Sequence, residues 1–213
     1  MNVKVATMPI RVTWDRWFDG YQELIDVAAL AVADMQNLTG TNLNLEFCGS
    51  TWSAGEWGDT DWYLDRARQS NGQIDGGVLI NLYHGEPWQQ GENAHIDLVL
   101  IHEDLTTEDT NFVFGLASGR VTVQSVKRFV DRAESFDQLA SLFYWVVVHE
   151  LGHILGLVDT TALNHDQRGG INECHCVNSC YMRQVMSIEE LIGLLIEIGP
   201  NPIFCPDCLA VIV

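Results

Sequence analysis

Basic residues are scarce in this chain: 11 Lys and Arg stand against 29 Asp and Glu, for a formal charge of -18. Phosphate backbones and anionic lipid surfaces are therefore poor partners at ordinary salt, and neither nucleic acid nor membrane is an expected ligand. Long apolar runs are missing too. Leu142 to Val158 is interrupted by two His and a Glu, and Leu191 to Ile198 is too short to span a bilayer. Met1 to Ile10 alternates polar and apolar residues and lacks the apolar stretch of a secretory signal, so the expected location is the cytoplasm. No repeat period is visible. What remains is a chain of 213 residues that is 47% hydrophobic, with 7 Trp and 8 Phe. That is enough apolar material for a folded domain rather than a disordered, highly charged chain.

The first part of the chain alternates strand and helix patterns. Val3 to Trp14 reads as a strand, Tyr21 to Leu38 as an amphipathic helix stopped near Gly40, and Leu43 to Phe47 as a second strand. Gly49 to Asp61 reads as a loop. The apolar runs Gly77 to Tyr83 and Ile96 to Ile101 are expected to be buried strands, with shorter strands at Phe112 to Leu116 and Val121 to Val126. Ser135 with Gln138 resembles a capping box, and opens a long helix whose apolar stripe runs to Leu155. After Gly156 the pattern breaks into turns and cysteines, apart from a helix at Ile188 to Ile198.

The long helix carries His149-Glu150-Leu151-Gly152-His153. Positions four apart on a helix lie on one face, so the two imidazoles can reach one metal ion, with Glu150 beside them. Zinc lowers the pKa of a bound water, and a neighbouring carboxylate can take its proton. Two His and a Glu on so apolar a helix are costly to bury without such a partner. A catalytic zinc takes three protein ligands. Gly156 can turn the chain back in the left-handed conformation, and Asp159 then falls where a third ligand is needed, with His165 as its rival.

Of the six Cys, five crowd into the last fifth of the chain: Cys174, Cys176, Cys180, Cys205 and Cys208. In a reducing compartment, clustering with a CxxC step favours a zinc site over disulfides. Cys205 sits in a Pro-bearing tail rather than opening a helix of a βαβ unit, which argues against a redox CxxC. The zinc deaminase signature fails, because Glu150 follows His149 directly and the order at the last cysteines is Cys-Pro.

The extended pattern His149-Glu150-x-x-His153-x-x-Gly156-x-x-Asp159 resembles the long motif of the metzincin clan of zinc peptidases, with Asp where most members have His. Within the clan the chain is similar to the archaemetzincins from about Ile96 to Leu209. The likeness rests on Phe112 to Ala117, Ser125 to Phe129, the step Cys180-Tyr181-Met182 and the terminal Cys205-Pro206-Asp207-Cys208. It implies two zinc ions per chain, one catalytic and one structural. It also implies that Met182 forms the methionine turn beneath the catalytic metal, with Met186 as its competitor. In that family the first structural thiolate directly follows the third catalytic ligand, a place that Thr160 occupies after Asp159 here. A polar insert, about Thr161 to Glu173, then precedes the cysteines. Cys176, Cys180, Cys205 and Cys208 are the preferred structural ligands, with Cys174 or His175 open for the first position.

The expected fold is therefore α/β: a metzincin-like twisted mixed sheet with two long helices and a small zinc-stapled C-terminal lobe. The lobes divide a single domain at 1–156 and 157–213. The expected catalytic zinc ligands are His149, His153 and Asp159, with Glu150 as general base. A peptide or protein substrate would add as a strand to an exposed sheet edge within Gly119 to Val126, on a monomeric enzyme. The alternative is a non-catalytic, zinc-stabilised binding module built on the same HExxH site.

Overall fold

The structure, a computed structural model, describes residues 7–50, 60–85, 94–158, 165–166, 175–199 and 203–212. Strand β1 (Thr7–Trp14) alternates as a strand must, and sends Ile10 and Val12 into the core on one face. Helix α1 (Gln22–Thr39) covers that face through Leu24, Ile25, Ala28, Ala31, Val32 and Met35, and ends at Gly40 in the left-handed region with φ 67. Strand β2 (Asn42–Gly49) returns parallel to β1.

After α2 (Thr60–Ala67) and the two-residue β3 (Ile74–Asp75) comes α3 (Gly76–His84). The run Gly77 to Tyr83 is thus a helix, not the expected strand. The Asp75 carboxylate caps it by accepting from the Val78 amide at 3.0 Å, and Leu79, Ile80 and Tyr83 are buried at helical spacing. A short apolar run has no periodicity that separates a buried strand from a buried helix, and the cap decides it.

Strand β4 (Ile96–Ile101) is buried along its whole length. Strands β5 (Leu105–Thr107) and β6 (Thr110–Val113) join β3 in a three-stranded sheet. Strands β7 (Gly115–Ser118) and β8 (Val121–Ser125) complete the main sheet, whose order is β2-β1-β4-β8-β7. All its neighbours run parallel except β7, which is antiparallel to β8. The exposed edge expected within Gly119 to Val126 therefore lies one strand earlier. Gly119, at φ 60, reverses the chain so that β8 is bonded on both sides and β7 takes the rim.

A short α4 (Lys127–Val130) leads to α5 (Phe136–Ile154). The expected start signal is real: Ser135 Oγ accepts from the Gln138 amide at 3.2 Å, and Gln138 Oε1 accepts from the Glu134 amide at 2.7 Å. Helices α1 and α5 lie on one face of the sheet over Ile96, Leu98 and Leu100. The other face packs α2 and α3 against Val99, Ile101, Val121 and Val123. Past α5 the described chain holds β9 (His165–Asp166) antiparallel to β10 (His175–Cys176), then α6 (Ile188–Ile198) and α7 (Pro206–Leu209). No described helix is long and apolar enough to cross a membrane.

Candidate metal centre

Among the described residues, two groups of donor side chains converge tightly enough to hold a metal ion. The first is His149, His153 and His175, whose ligand nitrogens lie within 4.8 Å of one another. Helix α5 supplies the first two at positions four apart, and β10 brings the third up from the C-terminal segment. Asp159 lies outside the described residues, and the third imidazole comes from His175, a residue whose neighbouring cysteines point to the thiolate site. His149 Nε2 and His153 Nε2 are 3.2 Å apart. Two nitrogens on a tetrahedral zinc, each about 2.05 Å from it, stand roughly 3.3 Å apart, so the spacing suits that ion.

The protonation state suits it as well. His149 Nδ1 donates to the Tyr181 carbonyl at 2.7 Å; a carbonyl only accepts, so the proton of the neutral ring is on Nδ1 and Nε2 presents a lone pair. Burial, with the neighbouring His153 and His175, holds His149 well below the usual histidine range. Burial and His175 push His153 down to about 3. The two rings on α5 are neutral ligands at neutral pH.

Glu150 is 6% exposed and shares a cleft of about 610 Å³ with the three imidazoles. That cleft is bordered by Gly115, Leu116, Ala117 and Ser118 of the edge strand β7. A Cβ on Gly115 would stand 2.6 Å from both Cγ and Oε1 of Glu150, so only glycine lets the carboxylate lie against the edge strand. Two residues further along α5, a Cβ on Gly152 would collide with the Met182 sulfur. Met182 is wholly buried against the helix, whereas its competitor Met186 is 59% exposed. The helix then stops in a Schellman turn. Gly156 has φ 73, its amide donates to the His153 carbonyl at 3.1 Å, and the Leu157 amide donates to the Gly152 carbonyl at 2.9 Å.

The second group is Cys176, Cys180, Cys205 and Cys208, again within 4.8 Å. The described cysteines form no disulfide. Cys176 Sγ lies 3.6 Å from Cys205 Sγ, and Cys180 Sγ 3.7 Å from Cys208 Sγ. Sulfurs on a tetrahedral zinc, about 2.3 Å from it, stand roughly 3.8 Å apart, so four thiols at these spacings fit a closed structural site. Hydrogen bonds from the Cys176 and Cys208 thiols hold Cys180 down at about 4, whereas hydrogen bonds with Cys176 and Cys180 push Cys208 upward. The Asn178 amide reaches Cys176 Sγ at 3.3 Å, and its side chain reaches Cys205 Sγ at 3.4 Å.

The sequence did carry a signal for His175. In the archaemetzincin pattern the third ligand stands directly before the first thiolate, and His175 stands directly before Cys176. The chain fits that pattern when the insert lies between Gly156 and His175 rather than after Asp159.

No protein-family model matches this sequence, and no curated protein matches it. Solved structures do. An archaemetzincin from Methanopyrus kandleri aligns at a TM-score of 0.68 and 22% identity, over 100% of this chain and 97% of that one. A zinc-dependent peptidase from Methanocorpusculum labreanum gives a TM-score of 0.61 and 16% identity, over 96% and 100%. An archaemetzincin from Archaeoglobus fulgidus, complexed with malonate, gives 0.55 and 18%, over 96% and 99%. This chain therefore shares the archaemetzincin fold over nearly its whole length.

Proposed function

We propose that this protein is a zinc-dependent peptidase of archaemetzincin type, with a catalytic ion on His149, His153 and His175 and a structural ion on Cys176, Cys180, Cys205 and Cys208. The observation that carries the reading is the meeting of three imidazoles and Glu150 in one cleft beside β7, the edge strand of the sheet among the described residues. The shared fold of the solved zinc peptidases supports it. Zinc at the imidazoles would acidify a water and polarise the scissile carbonyl. Glu150, beside the imidazoles, takes the proton of the attacking water and passes it to the departing amine. The Tyr181 carbonyl holds His149 in the tautomer that faces the cleft. An extended peptide pairs with β7, the edge strand of the sheet among the described residues, which borders the cleft.

Two measurements test this. Metal analysis is expected to find two zinc ions per chain, one of them lost on Cys208→Ser. A peptide library is expected to be cleaved by the parent and untouched by Glu150→Gln that retains both ions. Cleavage that survives Glu150→Gln removes the carboxylate from the mechanism. A parent that holds both ions and cleaves nothing points instead to a zinc-stabilised binding module.

A further inference from the structure

The two donor clusters are joined by a short stretch of backbone. His175 is the residue before Cys176, and both are buried in β10. The Cys176 amide donates to the Met182 carbonyl at 2.8 Å, so this strand is laid against the segment after Cys180. Tyr181, the residue after Cys180, offers the carbonyl that takes the His149 Nδ1 proton. The Tyr181 amide donates in turn to the Ile203 carbonyl at 2.8 Å, on the approach to Cys205. Met182, two residues after Cys180, fills the space that Gly152 leaves on α5. His153 is set by α5 itself. His149 and His175 are set by groups within two residues of a cysteine.

Regular structure does not hold this segment in place. Strand β10 is two residues long, and residues 177–187 contain no helix or strand. Four thiolates within 4.8 Å of one another would repel unless a cation lay among them. A metal ion at the cysteines would fix the Tyr181 carbonyl and the His175 ring together. Outer-sphere supports of this kind commonly change a metal site's affinity about 10- to 100-fold.

We propose that the four-cysteine site is the positioning element of the imidazole site, so that a metal bound by the cysteines raises the metal affinity of His149, His153 and His175. Coupling of two binding equilibria is reciprocal, so an ion at the imidazoles tightens the cysteine site by the same factor. The cysteine site, with four soft ligands, fills first as zinc becomes available. The inference rests on the two-zinc reading but not on peptide cleavage.

Full-length chain stripped of metal is titrated with Co²⁺, and each site is followed by its own absorption, thiolate charge-transfer bands for one and ligand-field bands for the other. The expected result for Cys208→Ala is an imidazole-site affinity lower by about 10- to 100-fold, largely restored in Cys208→His, which returns a ligand. Reciprocally, the fully loaded parent holds the ion at its cysteine site more tightly than the parent with empty imidazoles, by the same factor, and His153→Ala abolishes that difference. Affinities within twofold of the parent in a folded Cys208→Ala overturn the proposal. Should that variant unfold, the parent chain decides: its imidazole-site affinity for Co²⁺ is measured with and without one equivalent of Cd²⁺, a soft ion taken by the cysteines. An increase with Cd²⁺ supports the coupling, and equal affinities overturn it. Metal uptake at neither cluster refutes the zinc reading itself, whereas independent uptake at both refutes only the coupling.

Discussion

At the scale of single residues, the third imidazole marks where sequence spacing carries authority and where it does not. His149 and His153 are legible because helix geometry fixes what four residues mean. A ligand beyond the helix is under no such constraint, since loop-closure entropy rises only with the logarithm of loop length. Asp159 and His175 are therefore both affordable in chain entropy, and the pairing of His175 with Cys176 is the informative feature. His175→Ala is expected to weaken zinc at the imidazole site by more than about 100-fold, and Asp159→Asn by less than about threefold, as read by competition with a chelator. The opposite ranking would restore Asp159 as the third ligand. Gly115 was not legible as a site residue at all, because its role is to have no side chain. In Gly115→Ala the new methyl displaces Glu150, since its Cβ would lie 2.6 Å from Oε1. The cleavage rate is expected to fall about 100-fold with both zinc ions retained, a loss typical of a catalytic group moved by about 1 Å. An unchanged rate would mean that Glu150 has room to spare.

At the scale of elements, the periodic helices α1 and α5 and the apolar run β4 stand where their patterns put them, and β1 does so from Thr7 onward, the start of the expected strand lying outside the described residues. Those that did not read true are short or decided by contacts. Helix α3 is set by the Asp75 cap, and the identity of the edge strand is set by pairing rather than composition. Packing between α5 and the C-terminal segment is likewise invisible in periodicity, because Gly152 would be read as a flaw in the helix. Alanine is favoured over glycine inside a helix by about 1 kcal/mol, yet here its Cβ would strike the Met182 sulfur and lie 3.2 Å from Leu157 Cδ1. Overpacking of this kind costs about 1–3 kcal/mol, so Gly152→Ala is expected to destabilise the protein. Replacing Met182 by Ala as well removes the collision. A double-mutant cycle by urea unfolding should then return a coupling of about 1 kcal/mol or more, and additivity would show that the two do not press on each other.

At the scale of the whole molecule, the charge of -18 raises the question of how far a general negative field, rather than local burial, governs its ionisable groups. Asp15 separates the two. It is 4% exposed and ties the end of β1 to the end of β4, because its carboxylate accepts from the His102 amide at 2.5 Å and the Trp17 amide at 3.1 Å. Burial is the largest influence and pushes it up to about 6; the two amides oppose this, and the charges of Asp61 and Glu103 add to it. A carboxyl raised in the folded state binds its proton more tightly there than in the unfolded chain. Its contribution to stability is thus fully present below the ordinary carboxylate value and is lost as pH rises through about 6. Asp15→Asn lacks that titration and also loses an acceptor, since an amide offers one oxygen to two backbone donors. The stability of the parent relative to Asp15→Asn, measured by urea unfolding, is therefore expected to grow by roughly 1 kcal/mol between about pH 7 and about pH 5. A difference that stays flat with pH would mean that Asp15 titrates normally. Salt distinguishes the causes: a shift driven by the field of exposed carboxylates shrinks as salt screens it, whereas one driven by desolvation persists. Because burial leads, the same pH-dependent gain is expected at low and at high salt, and its disappearance at high salt would assign Asp15 to the molecule's charge rather than to its own buried position.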